Sequence, residues 1–592
     1  MKPTIDPRRG DIEDDASSST SRSMLSLAGS LLAEISLPKL AIAWMLLIVA
    51  PGLMLGMAPI VASIWFNKVS STAAYAVAEV WSAIILVALV GIGWFSFGRL
   101  FRFAESNFWA LNSLLVQPIY ATCREALRHL VERGLPGEAT DLKRSNLRAI
   151  TAVASGVVVC GLAVAVLMIA WPHAHFSLDI AILGEPTRMA VVALANGVVL
   201  VSAYVAAAAL IWAVADATMD PPRDLEPAEA EGDPKPAWRV AHLSDLHIVG
   251  ERYGFRIESG RAGPRGNERL GRILAKLEAI HAERPLHAIL ITGDMTDAGR
   301  STEWAEFFDA IERRPNLLGL MLILPGNHDV NIIDRANPAR FELPTSPNKR
   351  LRKVRALSAM EAIQGERVRT VDRESRRLGV TLSEALAPFR GKMASFVDGK
   401  PWSRKALDAV WTGVFPMVMA PERDDGLGII LLNSNAETHF SFTNALGMIS
   451  SEQARGVEIA AAQYPQAYWL IALHHHLVEY PQAATALSER IGTALINGNW
   501  FVRWLKRLSG RAALMHGHRH VDWIGECAGL PIVSAPSPIM GTTNEGATHF
   551  YVHTLTPGAN RRLTLLKPQR VDLAGAPRDA FDVGGALAPP QG

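Results

Sequence analysis

The sequence predicts an α-helical membrane domain followed by a layered α/β domain, and three observations carry that prediction. Apolar residues make up 49% of the 592-residue chain, but they gather in long runs within its first third. Beyond residue 236 the pattern changes to short apolar runs alternating with amphipathic repeats, as in layered α/β domains. Several of the short runs end in His, Asp and Asn, and the carboxyl ends of strands are where open α/β sheets place their chemistry.

Residues 1–36 are polar, carry mixed charge and a serine run, and read as a flexible cytoplasmic tail. Apolar runs at 40–64, 80–98, 149–171 and 189–213 then define a four-helix transmembrane domain over 37–217. Each is near the roughly 20 residues needed to cross the hydrocarbon core, and none shows the polar stripe of a helix packed in a soluble bundle. Trp65, Trp94, Trp171 and Trp212 fall near the span ends, where aromatic rings sit at headgroup depth. The connection between the second and third runs holds Arg99, Arg102, Arg124, Arg128, Arg133, Lys143, Arg144 and Arg148. Positive loops stay cytoplasmic, so an integral protein of a cell inner membrane or its equivalent is expected, with both termini and the following domain in the cytoplasm.

Residues 218–236 are rich in Pro, Glu and Asp and read as a linker. The α/β domain follows over 237–568, with strands expected at 238–243, 286–291, 317–324, 428–432, 468–473 and 512–515. Between them, Leu270, Ile273, Leu274, Leu277 and Ile280 mark a helix at 268–282, and a second covers 302–313. Ser450 reads as the N-cap of a helix running to about Gln463. An insertion at 330–425, expected to be a helical, basic element or cap, carries Lys349, Arg350, Arg352, Lys353 and Arg355 and then Arg367, Arg369, Arg373, Arg376 and Arg377. Its ordinary reading is a solvated helical face, and its sharper one a cover over the site or a surface for anionic lipid. Residues 569–592, rich in Pro, Ala and Gly, read as a disordered tail.

A net charge of +2 gives no case for a nucleic-acid partner. Cys123, Cys160 and Cys527 are too few and scattered for a disulfide framework or a thiolate zinc site. The chemistry must come from the strand-end clusters. Asp245, His247, Asp294, Asn327, His474, His518 and His520 offer only oxygen and nitrogen donors, which suits manganese, iron or zinc. Seven ligands are too many for one ion. Two divalent or mixed-valence ions about 3.5 to 4 Å apart, sharing a carboxylate, are typical of phosphate ester hydrolysis.

In their order, the clusters Asp245-Leu246-His247, Gly293-Asp294-Met295-Thr296-Asp297, Gly326-Asn327-His328-Asp329, His474-His475 and Gly517-His518-Arg519-His520 resemble the calcineurin-like metallophosphoesterases. The resemblance covers residues 238–566 and is nearest to the branch containing cyclic nucleotide and glycerophosphodiester phosphodiesterases, on the Gly-Asp-x-Thr-Asp form of the second motif and the stretch from Gly447 to Gln453. His476-Leu477 departs from it, since that branch usually has prolines there. The resemblance implies a metallophosphoesterase β-sandwich flanked by helices. One metal would take Asp245, His247, Asp294 and His520, and the other Asp294, Asn327, His474 and His518, with Asp294 as the bridge. A metal-bridging hydroxide would attack phosphorus, with Asp294 and His328 as the catalytic pair and His328 as proton donor and charge stabiliser. Asp329 would orient His328 or cap a turn, His475 would support a ligand or touch substrate, and Asp297 would cap the turn after its motif.

The expected activity is therefore a membrane-anchored phosphoric ester hydrolase acting on a phosphodiester, with membrane lipid as the surrounding partner. Alternatives are a hydrolase of a lipid-linked phosphate or pyrophosphate, and a non-catalytic membrane-attached scaffold. Missing metal ligands would mark the scaffold, and none of the motif ligands is missing.

Overall fold

The computed structural model describes residues 45, 49–76, 116–132, 141–178, 180–229, 236–250, 265–332, 346–437, 445–481, 495–539, 548–558 and 561–573. Two compact units are present, one helical within 28–219 and 484–491, the other comprising 1–27, 220–483 and 492–592.

In the helical unit, α1 (Ala50–Ala76), α3 (Asp141–Ala170) and α4 (Pro186–Ala217) are long and apolar, and α2 (Gln117–Glu132) is amphipathic. Three stretches, Ala50–Asn67, Asn146–His173 and Pro186–Ala217, have the length and composition to cross a membrane. Val157, Leu162, Met168 and Ile169 of α3 and Ile211 and Val214 of α4 are exposed. The run expected at 80–98 and the tail at 1–36 lie outside the described residues. Asn196, fully buried in α4, accepts from His175 N at 2.9 Å and donates to His175 O at 2.8 Å and to Gly56 O at 3.3 Å, tying α1, α4 and the loop after α3 together.

The second unit holds two sheets. The larger has the order β1-β11-β12-β10-β9-β8-β7-β5-β6, the smaller β14-β13-β2-β3-β4 with β15 also on β13. The strands are β1 (Arg223–Asp224), β2 (Trp238–Leu243), β3 (Ala288–Ile291), β4 (Met321–Ile323), β5 (Arg369–Asp372), β6 (Arg377–Thr381), β7 (Met417–Met419), β8 (Leu427–Leu431), β9 (Tyr468–Ala472), β10 (Ala512–His516), β11 (Trp523–Cys527), β12 (Leu530–Ser534), β13 (Thr548–Pro557), β14 (Leu563–Leu565) and β15 (Gln569–Leu573). β2, β3 and β4 are parallel, as are β8, β9, β10 and β12. Such strands are buried on both faces and read as continuous apolar runs, which is why β2, β3, β4, β8 and β9 have no exposed position. Trp238 of β2 and Tyr468 of β9 meet across the sandwich with ring centroids 5.6 Å apart.

Helices α5 (Arg265–Glu283) and α6 (Ser301–Glu312) follow the periodicity of the sequence. The insertion departs from expectation in two ways. It contributes three strands, β5, β6 and β7, to the larger sheet, so it is not wholly helical. Its basic helix α7 (Pro347–Gln364) is buried on all sides: Lys349, Arg352, Lys353 and Arg355 are each at most 5% exposed, so those four form neither a solvated face nor one open to lipid headgroups. Lys353 pairs with Asp408 at 3.0 Å and with Glu437, and Arg355 donates to Gly299 O. Burial selects such pairs because an unpaired buried charge is costly. At the end of α7 the Gln364 side chain accepts from Ile323 N and donates to Ile323 O, completing the open edge of β4.

The linker and the tail are also partly structured. β1 pairs with β11 and Ala228 bridges Leu566, just past β14, so the described residues 223–228 of the expected linker are stitched to both sheets. β15 takes Gln569–Leu573 out of the expected tail by pairing with β13, with Val571 and Leu573 facing inward. Residues 574–592 are outside the described residues. Helix α8 (Ser451–Gln463) starts from Ser450, whose hydroxyl accepts from Gln453 N at 3.2 Å.

Candidate metal centre

The parallel strands of the two sheets deliver their carboxyl ends to one place. The stretch after β2 carries Asp245 and His247, that after β3 carries Asp294, that after β4 carries Asn327, that after β9 carries His474, and that after β10 carries His518 and His520. All seven are brought together. Asp245, His247 and His520 form one group whose donor atoms lie within 4.8 Å of one another, and Asp294, His474 and His518 form a second.

The backbone is held in an uncommon conformation to achieve this. Asp245, His247, Asp294, His518 and His520 all have positive φ, between 44° and 78°. For residues with a Cβ this region costs on the order of 1 kcal/mol or more each, and such strain clusters at functional sites. Hydrogen bonds between loops hold it: Asp245 N donates to Gly293 O, His247 N to Asp294 O, and Gly517 N to His474 O. Two glycines are needed for contact distance. A Cβ on Gly326 would lie 2.0 Å from Asp294 Oδ1, and one on Gly517 would lie 2.4 Å from Asp245 Oδ2.

The donor chemistry fits cations. His474 Nδ1 lies 2.8 Å from Thr292 O, a carbonyl that can only accept, so this nitrogen carries the proton. Its Nε2 then faces Asp294 Oδ2 at 3.2 Å, Asn327 Oδ1 at 3.0 Å and His518 Nδ1 at 3.1 Å. While His474 is neutral, at most one of those approaches can be settled by a proton from His518, and the others set acceptor against acceptor. In the first group, His247 Nε2 and His520 Nε2 are 3.3 Å apart, and His520 Nε2 is 3.4 Å from Asp245 Oδ1. Convergent acceptors in a buried place are stabilised by a cation among them. Burial alone would raise the pKa of Asp245, but His520 outweighs it and holds the carboxyl at about 2, ionised as a ligand must be. With no cation present, Asp294 and Asp245 overcome the burial that opposes the charge of His474 and raise it to about 9, so a proton on Nε2 is what a cation in this place would displace.

The neighbours have clear positions. His328 donates from its backbone N to Asp294 Oδ1 at 2.8 Å and from Nδ1 to Asp297 O at 2.7 Å, and its ring meets that of His247 at 4.4 Å. Burial opposes its protonation, but Asp294 and Asp297 together raise its pKa. Asp329 does not orient that ring. Its carboxylate accepts from Thr296 N, Thr296 Oγ1 and Gly326 N, fastening the loop after β3 to the loop after β4. Asp297 does not cap its turn either. Glu303 Oε2 takes the N–H groups of Ala298 and Arg300, while Asp297 Oδ1 stands 3.3 Å from His247 Nδ1, an ion-pair contact without a hydrogen bond.

His475 is buried behind His518, with ring centroids 4.5 Å apart. Ser434, which sequence reasoning passed over, accepts from His474 N and His475 N, so its single hydroxyl proton goes to His475 Nδ1 at 2.8 Å. Thr292 and Ser537 were also missed: Thr292 O fixes His474, and Ser537 Oγ donates to Asp245 O at 2.7 Å. Their only signal was a place just beyond an apolar strand. Cys527 plays no part, since burial and the nearby Asp220 raise its thiol to about 12.

Residues 239–376 match the family model of the calcineurin-like phosphoesterases, which supports a metallophosphoesterase domain in this chain. The match stops short of His474, His518 and His520, which the fold itself brings to the site. No curated protein matches the sequence. Among solved structures, a Staphylococcus aureus protein provisionally described as a 5'-nucleotidase aligns at 10% identity and a TM-score of 0.29, over 59% of this chain and 56% of its own. A hypothetical protein from Pyrococcus horikoshii aligns at 11% identity and a TM-score of 0.24, over 57% and 88%. The anchor protein of the inner membrane complex of Plasmodium aligns at 10% identity and 0.24, over 57% and 89%. This chain thus spans little more than half the length of the first of the three.

Proposed function

We propose that the chain is a membrane-anchored, two-metal phosphoesterase that hydrolyses a phosphodiester. The observation that carries this reading is the meeting of two donor groups, one of Asp245, His247 and His520 and one of Asp294, His474 and His518, at strand ends drawn from both sheets. Asp294 is the bridge in this reading, with Asn327 completing the second group. Divalent manganese, iron or zinc would supply an activated water and would neutralise charge on the phosphoryl oxygens.

The chain's own residues do the rest. Thr292 O fixes the ring of His474, Asp297 sets a negative charge beside that of His247, and Asp329 locks the two loops that carry Asp294 and Asn327. The Nδ1 proton of His328 is spent on Asp297 O, so Nε2 is the atom that would pass a proton to the leaving oxygen. Three apolar helical stretches support the membrane anchor, and the Arg-rich connection between residues 99 and 148 supports a cytoplasmic catalytic domain. The exposed apolar faces also favour a second reading, in which the phosphate or pyrophosphate ester is itself lipid-linked.

The test uses the full-length chain in detergent with manganese and bis(4-nitrophenyl) phosphate. Turnover that disappears in Asp294→Asn is expected. Activity confined to detergent-dispersed lipid esters would select the second reading, and no turnover with any divalent metal or ester class would remove both.

A further inference from the structure

Arg519 stands at the junction of the two donor groups. Its neighbours in the chain, His518 and His520, belong one to each. Both have positive φ, 78° and 54°, so the backbone that carries Arg519 is fixed on either side. The guanidinium carbon lies 5.5 Å from the ring centroid of Tyr480, a cation–π platform. That platform is itself held, because Tyr480 is 6% exposed and its hydroxyl lies 2.8 Å from Ser534 Oγ. His476 stacks between Tyr480 and His518, with centroids 6.0 and 6.1 Å away, which makes a continuous aromatic wall from Arg519 to the second donor group.

Arg519 has no carboxylate partner among the described residues. Other partly exposed arginines of the same unit do, as in Arg314–Glu278, Arg373–Glu452 and Arg390–Glu361. An arginine beside a site built for cations is repelled by them, and no carboxylate among the described residues offsets that. A fixed guanidinium fork is the side chain best suited to bidentate contact with an oxyanion. The counter-charge is then expected to arrive with the substrate. The scissile phosphoryl group has its proton donor in His328, whose ring packs against His247, whereas the Arg519 guanidinium is held over Tyr480, so we assign it to a different group of the substrate.

We propose that Arg519 is a specificity-determining residue that binds a second phosphate, so that the preferred substrate carries a phosphoryl group besides the one cleaved. The proposal rests on the phosphoesterase reading and deepens it. A matched pair of substrates isolates the effect: thymidine 5′-(4-nitrophenyl phosphate) with and without a 3′-phosphate, given to the full-length chain with manganese. In Arg519→Gln, kcat/KM for the ester with the 3′-phosphate falls at least about tenfold, the loss expected of a charge-assisted hydrogen bond. The ester without it changes less than about twofold, and Arg519→Lys recovers part of the loss. Equal losses on both esters, or none on either, overturn the proposal. Calorimetric affinity for thymidine 3′,5′-bisphosphate against thymidine 5′-phosphate gives a readout without turnover. There Arg519→Gln weakens only the bisphosphate; equal affinities in the variant and the parent chain overturn the proposal. Should the parent chain hydrolyse neither ester, the reading as a hydrolase of soluble phosphodiesters fails, and this affinity comparison still decides on Arg519.

Discussion

The helical unit and the candidate metal centre bury polar side chains in opposite ways. In the helical unit each named polar group meets a partner of complementary kind: Asn196 spends its amide on His175 and Gly56, Ser155 Oγ donates to Thr151 O, and Arg124 pairs with Asp216 at 2.5 Å while Tyr120 donates to the same carboxylate. In the α/β unit, Nε2 of His247 faces Nε2 of His520, and Nε2 of His474 faces Asp294 and Asn327 oxygens. Complementary burial stabilises a fold by itself. Like facing like in a buried place costs stability unless something positive joins the set. The difference separates a scaffold from a binding site without reference to any relative.

The largest effect that would break this contrast comes from the proposed bridge. Asp294→Asn keeps shape but removes charge, and should lower turnover by more than the 10- to 100-fold typical of residues one layer out from a metal. His328→Gln comes next, with kcat reduced by about 10²- to 10⁴-fold as for loss of a general acid, and metal content retained. Equal loss of metal and turnover would place His328 among the ligands.

A smaller effect separates buried histidines that lack any such site. His553 is fully buried, neither ring nitrogen has a hydrogen-bond partner among the described residues, and burial lowers its pKa to about 4. A folded pKa below the unfolded value means that stability is complete above about pH 6.5 and is lost as pH falls toward 4, by about 3 kcal/mol for this residue. Thermal melts of His553→Leu should show a flatter acid limb and little change at pH 7. The smallest effect belongs to the helical unit. Asn196→Ala should cost about 1 to 3 kcal/mol, the penalty for stranding buried partners, and leave the kinetics of solubilised protein unchanged.

Much of the catalytic fold was legible because parallel strands announce themselves as bare apolar runs. β2 was read at its observed bounds, and α8 was placed by its Ser450 cap. The run at 317–324 was less informative, because its first part folds as a short helix, Pro315–Leu318, before β4 begins. The basic insertion misled, since composition reports charge but not whether Asp408 and Glu437 will come to meet it. The site residues were legible as a set. Their support was not, because Glu303 displacing Asp297 from the turn and Asp297 turning to His247 depend on which loops lie side by side. The five positive φ angles are likewise a property of the closed loops and not of the residue types.

The central claim is that the facing acceptors are there to hold two cations. Metal content of the purified full-length chain, measured by plasma mass spectrometry after equilibration with manganese and removal of the excess, tests it directly. The account predicts two ions per chain, falling in Asp294→Asn and in His474→Ala. No bound metal in the parent chain, or an unchanged content in both variants, would contradict it.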